Sequence, residues 1–119
     1  AGRTAEALDA SRRSFALTEG LLAADPASNE RRVDLVTAAV RLGEAELAAG
    51  DARPALAHFR RGAAVAAALH KADTTDLNLA DRVVASREGV GNAMAALGDA
   101  AGGVAELRAA LALAERVSA

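Results

Sequence analysis

The chain repeats itself every 48 residues, and this period limits the folds that it can adopt. Shifted against itself by 48 positions, the sequence aligns without a gap, and 21 of the 71 aligned pairs are identical. Composition alone accounts for roughly half of these identities. A period of this length predicts stacked copies of one supersecondary unit. The shared positions include Gly2 with Gly50 and Gly98, Asp51 with Asp99, Leu8 with Leu56, Arg12-Arg13 with Arg60-Arg61, Asp25 with Asp73, Val36 with Val84, and Gly43 with Gly91.

The spacing of the apolar residues is helical along the whole chain. They recur at intervals of three and four residues, and the runs of β-branched or aromatic residues that favour strands are missing. We therefore predict an all-α fold of five helices without a strand. The predicted helices cover residues 4–23, 27–49, 52–71, 75–97 and 100–117.

Two Gly-Asp dipeptides, Gly50-Asp51 and Gly98-Asp99, mark sharp turns between the predicted helices. The glycine can take the left-handed conformation that ends a helix. The aspartate carboxylate can accept hydrogen bonds from the free amides in the first turn of the following helix. Pro54 is tolerated in such a turn, because the amides there have no partner within the helix. Pro26 disfavours a helical Asp25 and can itself open the second helix. These signals predict antiparallel helix hairpins.

The hairpins carry residues at the spacing of the tetratricopeptide repeat, and the chain resembles that family. The family places a Leu-Gly pair in the first helix of each hairpin, and an alanine followed four residues later by an aromatic residue in the second. The period here is 48 rather than 34 residues, and Glu46 and Met94 occupy the tyrosine position of the family. The matching residues are Leu42-Gly43, Gly50, Ala55 and Phe59 in one copy, and Val90-Gly91, Gly98 and Leu107 in the next, which has Gly103 at the alanine position.

The resemblance implies a right-handed superhelical stack of helix hairpins that serves as a scaffold for protein–protein interaction. The stretch "LAADPASNERRVDLV" is also similar to the helical repeats that follow the kinase domain in some bacterial serine/threonine kinases. On this basis we interpret residues 1–119 as one domain and as a fragment of a larger signalling protein. It would consist of a partial repeat at 1–24 and repeats at 25–72 and 73–119.

Composition argues against catalysis and against nucleic-acid binding. The chain has no cysteine for a disulfide or a thiolate zinc site, and its net charge of −2 offers no basic face. His58 and His70 lie twelve residues apart on one predicted helix, roughly 18 Å, so they cannot share a metal, and we interpret both as surface or boundary residues. The glycines of 89–103 lie within and after a helical pattern, which does not form a nucleotide loop. We predict no enzyme activity, cofactor or metal.

No membrane or export signal is evident. The chain lacks a run of 18 or more uncharged apolar residues, and its first residues lack the order of a signal peptide. We expect a cytoplasmic protein that does not insert into a membrane. An extracytoplasmic location stays open if the parent protein has a transmembrane segment.

Two surfaces are candidates for binding a partner. The first is the polar face of the second helix with the neighbouring part of the fourth, which the resemblance places in a concave groove. The second is an uncovered apolar face at the start of the chain, where Leu8 and Phe15 would mediate formation of a homodimer. Any amphipathic helix also has a polar face that is simply exposed to solvent. Whether the polar face here binds a partner or only contacts solvent stays open. The groove residues are Asp34, Thr37, Arg41, Glu44, Arg82, Glu88 and Asn92.

Overall fold

The computed structural model describes residues 2–118 and confirms the all-α fold. Within that range the chain forms five helices and no strand, as predicted. Every predicted helix boundary lies within two residues of the observed one. The helices are α1 (Gly2–Ala24), α2 (Asn29–Ala48), α3 (Ala52–Ala72), α4 (Leu77–Ala96) and α5 (Ala100–Ser118).

The helices pack as stacked hairpins in two layers. Each helix packs against the next one along the chain, and α2 also packs against α4. In the described part of the chain, α1, α3 and α5 make no close backbone contact with one another. Consequently α2 and α4 form one layer and the other three helices form the second, in a slab with extents of 42 × 38 × 18 Å. Helices α2 and α4 begin and end 48 residues apart.

Gly50 and Gly98 end the two helices of the first layer in the same way. Both have a positive φ, of 86° and 94°, so the predicted left-handed turn is confirmed. The amide of Gly50 donates to the carbonyl of Leu47 at 3.0 Å, and the amide of Asp51 donates to the carbonyl of Glu46 at 2.8 Å. The same two bonds recur at the second turn. They satisfy carbonyls that the helix end leaves free, and the chain reverses direction there.

The side chain of Asp51 does not cap α3, contrary to the prediction. The third helical position is Pro54, which has no amide hydrogen to donate to the carboxylate. At the equivalent turn the third position is Gly102, and its amide donates to Asp99 Oδ1 at 2.8 Å. The two copies therefore share the turn but not the cap.

Helix α2 begins at Asn29, so the prediction that Pro26 opens it is wrong. Ser28 has an extended backbone, and its hydroxyl oxygen accepts a hydrogen bond from the Arg31 amide at 3.1 Å. Pro26 lies in the preceding turn, where the Ser28 amide donates to the Asp25 carbonyl at 3.1 Å. The serine oxygen satisfies a free amide of the first turn, which the proline ring cannot do.

Phe59 of α3 fills the core between α2 and α4. It is 1% exposed and packs with Val90 and Ala93 of α4. A β-carbon added at Gly43 would lie 2.7 Å from its ring, and one added at Gly89 would lie closer still. The two glycines therefore let both helices close on the aromatic ring, and no larger residue fits at either place.

The turn before α4 predicts a pH effect at Asp73. The Thr75 hydroxyl, at 2.7 Å, and the Thr75 amide, at 3.2 Å, donate to Asp73 Oδ1 and hold the pKa of this exposed carboxyl below its ordinary value of 3.8. Because the folded pKa is lowered, these bonds stabilise the protein above about pH 4, and the contribution is lost as the pH falls through the folded pKa. We expect Thr75→Val to raise the Asp73 pKa in an NMR titration. Thr74→Val is the control, and an equal rise in that variant would contradict the assignment.

Candidate functional site

Polar residues from α2 and α4 meet at a shallow depression between these helices. Thr37, Arg41 and Glu44 of α2 line it together with Arg82 of α4. The fold thus brings four of the seven predicted groove residues to one place. The depression has a volume of about 180 Å³, and its other lining residues are Val36, Val40 and Ala85.

The helical period explains why the three α2 residues share this surface. Residues three and four positions apart lie on the same side of a helix, so Thr37, Arg41 and Glu44 form one row. Arg41 and Glu44 are exposed, whereas Thr37 is half-buried. The Thr37 hydroxyl donates to the carbonyl of Val33 at 3.3 Å. Its oxygen is therefore left as an acceptor, which a peptide amide can use.

Arg82 carries an unsatisfied group at this site. Its Nε is buried and has no hydrogen-bond partner among the described residues. None of the ion pairs found among the described residues includes Arg82. A buried N–H without an acceptor costs free energy, so an oxygen atom supplied by a bound molecule would stabilise it.

The other three predicted groove residues lie outside the depression. Asp34 is exposed, and its Oδ2 lies 4.0 Å from Nη1 of Arg31 on the preceding turn. Glu88 and Asn92 are exposed on α4 and do not line the depression. They extend the polar surface of α4 beyond it.

A buried polar pair joins α2 to α3, and the sequence pattern did not reveal it. Glu46 is 2% exposed, and its Oε1 lies 2.6 Å from Nδ1 of His58. The His58 ring also packs edge to face against Phe15 of α1, with 4.9 Å between the ring centroids. His58 is therefore a boundary residue that links three helices. The one available signal was a glutamate on the apolar side of the second helix.

The exposed apolar side chains differ from those proposed for self-association. Leu8 and Phe15 are half-buried on α1. The large exposed apolar side chains on that helix are Leu17, at 65%, and Leu21, at 37%. On α5, Leu107 and Leu111 are exposed, the second at 59%. Most of the large exposed apolar side chains of the described residues thus lie on the outer helices α1 and α5, while Leu77 and Leu97 lie at the two ends of α4.

Residues 2–118 offer neither a metal centre nor a membrane span. No three His, Cys, Asp or Glu side chains of that range are grouped so that they could hold a metal ion. In the same range, no helix has both the length and the apolar character that crossing a bilayer requires.

Comparisons with known proteins found no match. No protein-family model, no curated protein and no solved structure is similar enough to this chain to be called a relative. The structure supports a stack of packed helices of the kind found in helical repeats.

Proposed function

We propose that this chain is a non-catalytic, tetratricopeptide-like scaffold that binds a segment of a partner protein across α2 and α4. The observation that carries the proposal is Arg82, whose buried Nε has no acceptor beside a depression that both helices form. Arg82 and Arg41 contribute two positive charges there, and Glu44 contributes one negative charge. A segment that presents a carboxylate and backbone carbonyls would complement this surface.

The layered packing supports this binding mode. In stacked hairpins, the helices of one layer present adjacent faces, and an extended or helical peptide can lie across them. Helices α2 and α4 are such neighbours. The depression lies between them, and the exposed Asp34 and Asn92 continue the polar surface on either helix.

The proposal predicts an acidic peptide ligand whose affinity depends on Arg82. A peptide would be selected on the wild-type chain from a random library rich in Asp and Glu, and its Kd measured by calorimetry. We expect Arg82→Met, which keeps the apolar stem, to weaken binding about tenfold to a hundredfold, because a charge-assisted hydrogen bond is lost. The matched control is Arg108→Met, which removes an exposed arginine on α5 and should leave Kd unchanged.

A selected peptide that binds Arg82→Met and Arg41→Met as tightly as it binds the wild-type chain would refute the proposal. Far-UV circular dichroism of each variant would show that the helices are intact, so that a loss of affinity is assigned to the missing guanidinium group.

Self-association through α5 is the second candidate function. Val104, Leu107 and Leu111 are exposed on this helix. The residues 48 positions before Val104 and Leu107 are Leu56 and Phe59, which pack in the core against α4. The face that is covered on α3 is thus open on α5, and a second copy could cover it, for example to bring two kinase domains of a parent protein together.

Light scattering over about a hundredfold range of concentration separates this candidate from a monomeric scaffold. We expect a dimer whose mass falls to that of one chain in Leu111→Glu but not in Leu17→Glu, since the latter leucine lies on α1. A wild-type chain that is monomeric over the whole range would reject self-association.

A further inference from the structure

A cavity of about 520 Å³ lies in the second layer, between α1 and α3, away from the depression between α2 and α4. Its size falls in the range of about 300–1,000 Å³ that is typical of small-molecule sites, which are mostly apolar with a few polar groups. The lining has that character. It consists of Glu19, Leu22, Ala23, Pro26, Arg32, Arg61, Ala64, Val65 and Ala68.

The cavity exists because α1 and α3 both pack on α2 but make no close backbone contact with each other. Phe15 and His58 bridge the two helices at one position, and Glu19 and Arg61 bridge them one turn further along α1. Beyond this ion pair, the facing residues are mostly alanines, which are too short to reach across. The space between the helices stays open there and is walled by aliphatic carbon.

The charges at the cavity leave one arginine without a counter-ion. Glu19 Oε1 accepts hydrogen bonds from Arg61 Nε at 3.3 Å and from Nη2 at 3.1 Å, so that pair is balanced. Arg32 forms none of the ion pairs found among residues 2–118. It is half-buried and lines the same apolar space. An apolar ligand with a single negative charge would therefore match both the apolar wall of the cavity and the unpaired charge of Arg32.

The internal repeat shows that this combination is not a general property of the fold. The equivalent space between α3 and α5, of about 500 Å³, has His70 in place of Leu22 and Arg116 in place of Ala68. The residue equivalent to Arg32 is Ala80, which is buried. In the second copy, polar or charged side chains thus replace the leucine and the alanine of the wall, and no arginine stands at the position of Arg32. The second copy also shows that alanine is compatible with the helix at this position.

We propose that the cavity between α1 and α3 binds a small aliphatic monocarboxylate, with the carboxylate at Arg32 and the alkyl chain between the helices. The guanidinium group of Arg32 donates two parallel hydrogen bonds to the carboxylate oxygens. Leu22 and Val65 contact the alkyl chain, and the alanines give it room. This site is independent of peptide binding across α2 and α4, so either one can fail without the other.

The probe is octanoate, titrated into the full chain and followed by amide NMR and calorimetry. We expect shifts concentrated at the cavity and an affinity that rises about threefold to fourfold per methylene from butanoate through hexanoate to octanoate. Arg32→Ala should weaken octanoate binding about tenfold while leaving octanol binding unchanged, because octanol lacks the charge. The neighbouring Arg31→Ala is the matched control and should bind octanoate like the wild-type chain.

A second variant tests the apolar half of the site. Ala68→Leu places a larger side chain in the cavity and should abolish the binding of octanoate and octanol alike, whereas Ala57→Leu, on an exposed part of α3 outside the cavity, should not. Equal octanoate affinity in wild type and Arg32→Ala would overturn the proposal, as would an affinity that does not depend on chain length. Tighter binding of a leucine-terminated tripeptide than of octanoate would also overturn it and would assign the cavity to a peptide carboxyl terminus.

Discussion

Phe59→Ala should lower the free energy of unfolding by about 3–5 kcal/mol, the largest loss that we expect from a single substitution in this chain. The ring is 1% exposed and lies between Gly43 and Gly89, neither of which has a side chain that could move into the space. Both the transfer of the ring to water and the remaining cavity therefore contribute to the loss. A domain of this size has a stability of about 5–15 kcal/mol, so the variant would be close to unfolding.

Urea unfolding followed by far-UV circular dichroism measures this effect, and Phe15→Ala is its matched control. Phe15→Ala is the same chemical change, but Phe15 is half-buried, so the free energy of unfolding should fall by a clearly smaller amount. Phe59→Leu places the residue found at the equivalent position 107 and should cost about 1–2 kcal/mol. A loss below about 1.5 kcal/mol in Phe59→Ala would contradict this prediction and would mean that α2 and α4 move together to fill the vacant space.

His58→Ala should lower the free energy of unfolding by about 3 kcal/mol, because it leaves the buried Glu46 carboxylate without a partner. The carboxylate is 2% exposed, so water reaches it poorly once the imidazole is removed. The substitution also removes the edge-to-face contact with Phe15, which contributes a smaller part.

The double variant Glu46→Met/His58→Ala distinguishes loss of the pair from loss of packing. Methionine occupies the equivalent position 94, so the fold accepts it there. We expect the double variant to regain most of the stability that His58→Ala loses, since no buried charge remains. Additive losses in the two single substitutions, again measured by urea unfolding, would show that the residues do not interact across the hairpin.

The polar site between α2 and α4 was predictable in part. The spacing of Thr37, Arg41 and Glu44 along one helix placed them on one face, because helical period is a local property. That Arg82 completes the depression depends on how closely the two helices pack, and the burial of its Nε depends on the same packing. The spacing of residues along the sequence does not reveal how closely two separate helices pack.

Two errors at helix starts have local causes that the sequence does contain. Pro54 stands at the third position of α3, where a proline has no amide for the Asp51 carboxylate. Ser28 is a better cap than Pro26 is an opening residue, because its oxygen accepts the amide of Arg31. Both outcomes depend on whether an amide of the first helical turn can donate to a side-chain oxygen within four residues.

The sequence by itself determined the elements of this protein: five helices, their boundaries within two residues, and the glycine turns that reverse the chain. These depend on apolar spacing and on backbone freedom within a few residues. Only the tertiary structure decided which spaces between helices are filled. Phe59 is enclosed by α2 and α4, the Glu46–His58 pair is buried, and the cavity beside Arg32 is open. The reason is physical: these outcomes depend on side chains that meet across different helices, and the space left between them is a property of the packed helices together.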